Sequence, residues 1–239
     1  MAQHISRKEL KKDEVREGLA HGIEAVLSHQ QFTTYFLAAL VVAALAYFGW
    51  QAYQQRETAK ASSAFDNAMK IFQARIPTPG QPTPPDQPFY TNEQKKYTDA
   101  AAKFAGVAAK YKHTRPGKLA TYYDALSLEK LGKYDDAREQ LQAAMHSDED
   151  TASVVRFNLA QLDDQTGRGD EAEKIYQQLI AKPTVFVPKP MAMFALAQHY
   201  AQKNPSEAAK LYEQIKSEYP GTPFADQADQ ALALLPGKS

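Results

Sequence analysis

Six histidines, His4, His21, His29, His113, His146 and His199, are the residues whose side chains most readily bind a metal or move a proton. No two of them stand four apart, and none belongs to an HExxH arrangement, so the sequence offers no zinc site and they read as surface histidines. The chain has no cysteine, which removes disulfides, thiolate ligands and a cysteine nucleophile. There is no GxxxxGK[ST] loop or GxGxxG turn to cradle a phosphate. The acidic run Asp148-Glu149-Asp150 lacks the spacing and glycine of a calcium loop and reads as a solvated turn. Arg168-Gly169-Asp170 spells an adhesion tripeptide, but it falls where an interhelical turn is needed, and Gly132 to Asp135 fills the same place without spelling it. With no coupled ionisable groups in view, an enzyme is not expected, nor is a cofactor or a metal. The 28 basic and 28 acidic residues cancel, which makes nucleic acid an unlikely partner and turns attention to binding of proteins.

The elements that would carry such binding are helices. Alanine, glutamine, lysine and leucine are plentiful and β-branched residues sparse. Residues 32–50, FTTYFLAALVVAALAYFGW, contain no charge, and as a helix they would reach roughly 28 Å, close to the hydrocarbon thickness of a bilayer. Aromatic residues stand at both ends, where amphipathic rings prefer the headgroup boundary. Ala44-Leu45-Ala46 has the form of a signal cleavage site, yet the preceding tail is long and carries five acids, which favours an uncleaved anchor. Ala39 and Ala43 offer a small-residue face for another membrane helix. The 1–31 tail has Leu10, Val15, Leu19, Ile23, Val26 and Leu27 near helical spacing and reads either as an amphipathic helix or as a solvated extension of the span. Basic residues lie on both sides of the span, so the positive-inside rule discriminates little; a short cytoplasmic tail and an exported domain is the simpler topology.

Beyond the span, 51–75 continues as helix, and six prolines between Pro77 and Pro88 make 76–92 an extended loop of polyproline-like character, read as a connector in preference to a ligand for a proline-recognising domain. From there an offset of 35 residues aligns Gly132-Lys133-Tyr134-Asp135-Asp136-Ala137 with Gly167-Arg168-Gly169-Asp170-Glu171-Ala172. Ala125 and Ala160 precede the glycines by seven residues, while Leu141 and Ala144 correspond to Tyr176 and Leu179. Small residues at such spacing let two antiparallel helices cross closely, and the larger ones fill the gap to the next pair. A third copy begins in MAMFALAQHY, turns at Asn204-Pro205 and supplies Ala208, Tyr212 and Ile215. Ala100, Phe104 and Val107 form the second helix of a degenerate first copy whose first helix is Ala61 to Arg75.

This pattern resembles the tetratricopeptide repeat. The fold expected is all-α: one transmembrane helix, then an α-solenoid of about three to four tetratricopeptide-like helix pairs over 93–221 and a capping helix with tail over 222–239. In repeats of this kind the first helix of each pair lines the concave face. The resemblance therefore implies a peptide-binding groove at Tyr122, Leu126 and Glu129, then Phe157, Asn158 and Gln161, then Phe194 and Gln198. Aromatics and amides prevail there, which suits an apolar or helical peptide better than a terminal carboxylate; the alternative is that some of these side chains belong to the core.

The whole layout, with the tail HISRKELKKDEVREGLAHGIEAVLSHQ, is similar to bacterial membrane-anchored repeat proteins related to the ancillary subunit of the Sec translocon. That resemblance implies a single-pass protein of the bacterial inner membrane, with a cytoplasmic N-terminus and a periplasmic repeat domain. The implied partners are the translocon or periplasmic chaperones, alongside membrane lipid through the span. The alternative is a stoichiometric accessory structural subunit of another large membrane complex.

Overall fold

The computed structural model describes residues 30–76, 90–145 and 148–236, with side chains described from Thr34 onward. The 1–29 part of the tail, most of the proline-rich loop (77–89), His146 with Ser147, and 237–239 lie outside the described residues, and with them the amphipathic tail and the polyproline-like conformation expected there. The described residues form nine helices and no strand. They are α1 (Gln30–Phe72), α2 (Glu93–Lys110), α3 (Arg115–Lys130), α4 (Tyr134–Ala144), α5 (Glu149–Gln165), α6 (Gly169–Ala181), α7 (Lys189–Lys203), α8 (Pro205–Glu218) and α9 (Pro223–Ala233). The chain divides into two compact units, Met1–Arg56 and Glu57–Ser239.

In the first unit, the apolar run keeps its side chains uncovered. Tyr35, Phe36, Leu45, Phe48 and Trp50 are each more than 60 % exposed, and none of the apolar window is buried within the chain. A helix of this length and composition can serve as a membrane span or as a secretion signal. The helix expected to continue from the span over 51–75 does so as the last part of α1 and stops at Phe72.

The second unit is a series of antiparallel helix pairs, each packed on its sequence neighbours. The last part of α1 and α2 make the interrupted first pair. Phe65 meets Phe104 at 5.6 Å between ring centres, and Phe72 meets Tyr97 at 5.7 Å. Tyr123 of α3 stacks on Phe104 at 5.4 Å and joins this pair to the next. The two flanks of the proline-rich loop are held together by the buried Lys96, whose Nζ donates to the Ala74 carbonyl at 3.0 Å and lies 4.6 Å above the Tyr97 ring. The pairs α3/α4, α5/α6 and α7/α8 follow, and α9 covers the last apolar face through Ala228 and Leu232.

Alanines with 1 % exposure or less, Ala120, Ala125, Ala137, Ala160, Ala172, Ala197 and Ala208, sit where helices cross. Their lack of bulk allows close approach, and Leu141, Tyr176, Leu179, Tyr212 and Ile215 fill the space between pairs. Side chains of Asn92, Thr114, Asp148, Asn204 and Thr222 cap the first turns of α2, α3, α5, α8 and α9, each cap contributing about 1 kcal/mol. Gly132 and Gly167, aligned in sequence, both adopt positive φ (73° and 82°) and end the first helix of their pairs, a conformation that disfavours any side chain.

Candidate functional site: a glutamine-lined groove

A groove of about 580 Å³ opens at the C-terminal ends of α3, α5 and α7. Nine of its ten lining residues come from these first helices: Glu129, then Gln161, Asp164 and Gln165, then Ala195, Gln198, His199, Gln202 and Lys203. Only Tyr176 reaches in from a second helix, α6. The helices bring these residues together because the repeat sets α3, α5 and α7 side by side, and a spacing of four residues places Gln161 over Gln165 and Gln198 over Gln202 on one face.

The floor is a fixed hydrogen-bonded network. His199 Nδ1 contacts Asp164 Oδ1, and the Tyr176 hydroxyl lies close enough to feel the same carboxylate. Burial, and then the Asp164 charge, push the Tyr176 phenol well above its ordinary range, so it stays a donor at neutral pH. The His199 side chain is only 4 % exposed. The expectation that every histidine lies at the surface therefore fails here, whereas His113 is exposed. The physical reason is the first turn of α6: Gly169 is buried against α7, and a Cβ there would lie 2.8 Å from His199 Cε1. Lys203 and Glu129 supply opposite charges at the groove, and no ion pair is found for either among the described residues.

Of the residues expected from sequence, Glu129, Gln161 and Gln198 line this groove. The others do not. Phe157 is buried, 7 % exposed, with its ring 6.1 Å from Tyr176 in the core. Phe194 is half-buried and packs on Tyr212 at 5.4 Å. Tyr122 is half-buried; its hydroxyl accepts from Asn158 Nδ2 at 3.1 Å, and burial, followed by the nearby Tyr123 and Glu129, pushes its phenol up to about 12. Asn158 also donates to the Val154 carbonyl, and Leu126 is half-buried outside the lining. Of the expected aromatics and amides, the amides line this groove, while the rings at these positions are drawn into the gaps between helices. Asp164, Gln165, Tyr176, His199, Gln202 and Lys203 were not foreseen. The recurrence of a Gln-x-x-x-Gln pair in α5 and α7 was the available signal.

The other sequence features resolve simply. Arg168 is not displayed for a receptor: its guanidinium pairs with Asp135 at 2.6 Å and donates to Thr166 Oγ1 at 2.7 Å. Asp148 caps α5, and Glu149 pairs with Arg156 at 2.9 Å. Among the described residues, no three His, Asp or Glu side chains are grouped to hold a metal ion.

What the groove can do chemically is recognise polypeptide. A carboxamide both donates and accepts, as does the backbone of an extended segment, and four glutamines in two ranks offer that match without demanding a charge.

Comparison with known proteins bears on the scaffold. The family model for the tetratricopeptide repeat-like domain matches residues 29–186, and a tetratricopeptide repeat model matches 157–223. Among solved structures, a Podosopora anserina protein of the kinesin light chain type, with nearly identical TPR-like repeats, superposes with a TM-score of 0.54 at 16 % identity, over 74 % of this chain and 85 % of that one. The Rap conjugation gene regulator of plasmid pLS20, in complex with the Phr* peptide, gives a TM-score of 0.45 at 16 % identity over 62 % of this chain. This chain spans 44 % of that regulator's length. No curated protein matches. With two thirds of its length matched by one family model and an all-helical paired architecture beneath it, this chain belongs to the tetratricopeptide repeat-like domain family.

Proposed function

We propose that this chain is a membrane-anchored scaffold that holds an extended segment of a partner protein in the groove between α3, α5 and α7. Tetratricopeptide repeats are protein-interaction scaffolds. The observation that carries the finer reading is the groove itself, where three successive first helices contribute nine of ten lining residues and leave four glutamines facing outward. The anchor is α1, whose apolar part has no covering element within its own unit. The repeat domain lies outside the bacterial inner membrane with the N-terminus in the cytoplasm, and the partners are translocon components, periplasmic chaperones or the envelope proteins they handle. This location and these partners rest on the similarity of layout to the ancillary Sec translocon subunit group.

The test is site-specific photocrosslinking in native membranes. A crosslinker at Gln161 or Gln198 should capture a defined protein that one at Lys133, an exposed residue of the α3–α4 turn, does not. Equal capture from all three positions, or none, would remove the groove from the proposal. Gentle detergent purification of the full chain then separates the partner classes. Recovery of translocon components or chaperones supports the export-site reading, while an unrelated complex in fixed stoichiometry replaces it with a structural-subunit role.

A further inference from the structure

The chain is electrically neutral, yet between Asp99 and Asp124 it contains no acid and five cations: Lys103, Lys110, Lys112, Arg115 and Lys118. All five are exposed, and no ion pair is found for any of them among the described residues. Four of them gather at the α2–α3 turn. Arg115 and Lys118 border a hollow of about 180 Å³ with His113, Asp148 and Thr151, so this corner is continuous with the first turn of α5. Asp148 caps α5, where it accepts from the Thr151 N–H at 3.1 Å and from the Thr151 hydroxyl and stays ionised beside Arg115; with Glu149 paired to Arg156, Asp148 and the exposed Asp150 are the acids that the four cations outnumber here.

The same edge continues to the α6–α7 loop, because Ser153 Oγ meets Thr184 Oγ1 at 2.7 Å. There the chain makes a tight reversal: the Thr184 N–H donates to the Val187 carbonyl, the Val187 N–H donates to Thr184 Oγ1, and Val187 is buried. This braced turn presents Val185 and Phe186 to solvent, 87 % and 60 % exposed. A convex apolar tip beside a cationic corner needs no complementary pocket. A fluid bilayer with anionic headgroups takes both parts at once.

Within its own unit this edge lies apart from the glutamine groove. Because Phe72 packs on Tyr97 and Phe65 on Phe104, α2 runs antiparallel to the last part of α1, and Lys110 emerges at the Glu57 end of the domain. The glutamine groove lies at the opposite ends of α3 and α5, so occupation of the cationic edge leaves it open.

We infer that the edge formed by the α2–α3 turn and the α6–α7 loop docks on an anionic phospholipid bilayer, with Lys110, Lys112, Arg115 and Lys118 against the headgroups and Val185 and Phe186 inserted among them. The inference rests on the anchoring reading, since a tethered domain meets the surface at high effective concentration and a weak contact suffices.

The absence of cysteine allows a single reporter in the full chain. Val185→Cys carries a polarity-sensitive fluorophore, Lys133→Cys serves as reference, and each is reconstituted into phosphatidylcholine vesicles with or without phosphatidylglycerol. The expected result is a blue-shifted Val185 reporter only with phosphatidylglycerol, reversed in about 1 M salt, where the screening length falls to roughly 3 Å. Replacing one lysine by glutamine should weaken docking about five-fold, and reversing all four cations to glutamate should abolish it. A Val185 reporter that behaves like the Lys133 one in both vesicles overturns the inference. So does one shielded only when membrane proteins are added, which would make the edge a protein-binding surface. Alkaline extraction reports on the anchor separately: a chain that resists extraction yet shows no reporter shift keeps its anchor and loses the docking edge, and a chain that is extracted loses the anchor.

Discussion

The repeats α3/α4 and α5/α6 share one backbone plan, and each buries a single acid in its first helix, one turn apart. At the 35-residue offset, Asp124 stands where α5 has Leu159, and Leu128 stands where α5 has Asp163. Asp163 is fully buried, and Arg138 of α4 donates to it from Nε at 2.6 Å; its second oxygen, Oδ2, has no hydrogen-bond partner among the described residues. Asp124 is 6 % exposed, no ion pair is found for it among the described residues, and burial pushes its carboxyl up to about 6. An acid between packed helices must be compensated. In one repeat the neighbouring helix supplies a guanidinium, and in the other the carboxyl takes up its proton at a higher pH than a solvated acid would.

The largest test of this contrast is the Arg138–Asp163 pair. Asp163→Ala should cost about 3 kcal/mol, because it leaves the guanidinium beside an emptied apolar site. Thermal melting of the full chain followed by circular dichroism reads this directly. Placing leucine at both positions, as Leu128 already stands in the preceding repeat, should recover most of the loss, since apolar replacement of a buried pair is often neutral or better. A double variant as unstable as the single one would show that the acid serves something other than its arginine.

Asp124→Leu should act in the opposite direction. The folded-state pKa of Asp124 lies above its unfolded value near 3.9, so between about pH 4 and pH 6 the folded chain keeps a proton that the unfolded chain has released. Its contribution is therefore intact below about pH 4, falls as pH rises through 6, and stays lost above. The variant escapes that loss. Its advantage in melting should grow by about 2 kcal/mol from pH 4 to pH 7. An advantage independent of pH would mean that Asp124 titrates as a solvated carboxylate, and the two repeats would then differ only in packing.

The helix pairs were legible because their marks are local: an alanine seven residues before a turn glycine, a second alanine five residues after it, and aromatic or aliphatic residues at the next helical positions. Glu129, Gln161 and Gln198 were legible for the same reason, by register along the first helices. Tyr122, Phe157 and Phe194 share that register but not the groove. Whether a ring on a helix flank points outward or into the neighbouring gap depends on the space left by Ala160 and Ala197, which only packing reveals. His199 was read as a surface residue because one histidine on a helix carries no mark of what lies across from it. The buried acids were hidden by the repeat itself, since the offset that aligns the two copies predicts leucine at both places.

The contrast sharpens once more at the turn, where the exposed Tyr134 of the first copy is replaced by the buried Gly169 of the second. The two copies differ because α7 closes over the second turn: a Cβ on Gly169 would lie 2.6 Å from Lys203 Nζ and 2.8 Å from His199 Cε1. The lysine end can swing away at little cost, but the imidazole is fixed by Asp164. Gly169→Ala should therefore cost about 1 kcal/mol, with the gain in helix propensity muted at the first residue of α6. In a Lys203→Ala background the cost should be unchanged. In a His199→Ala background it should vanish, because the added methyl then enters the space the ring has left. Equal cost in both backgrounds would place the strain in the α6 backbone and sever the turn glycine from the groove floor.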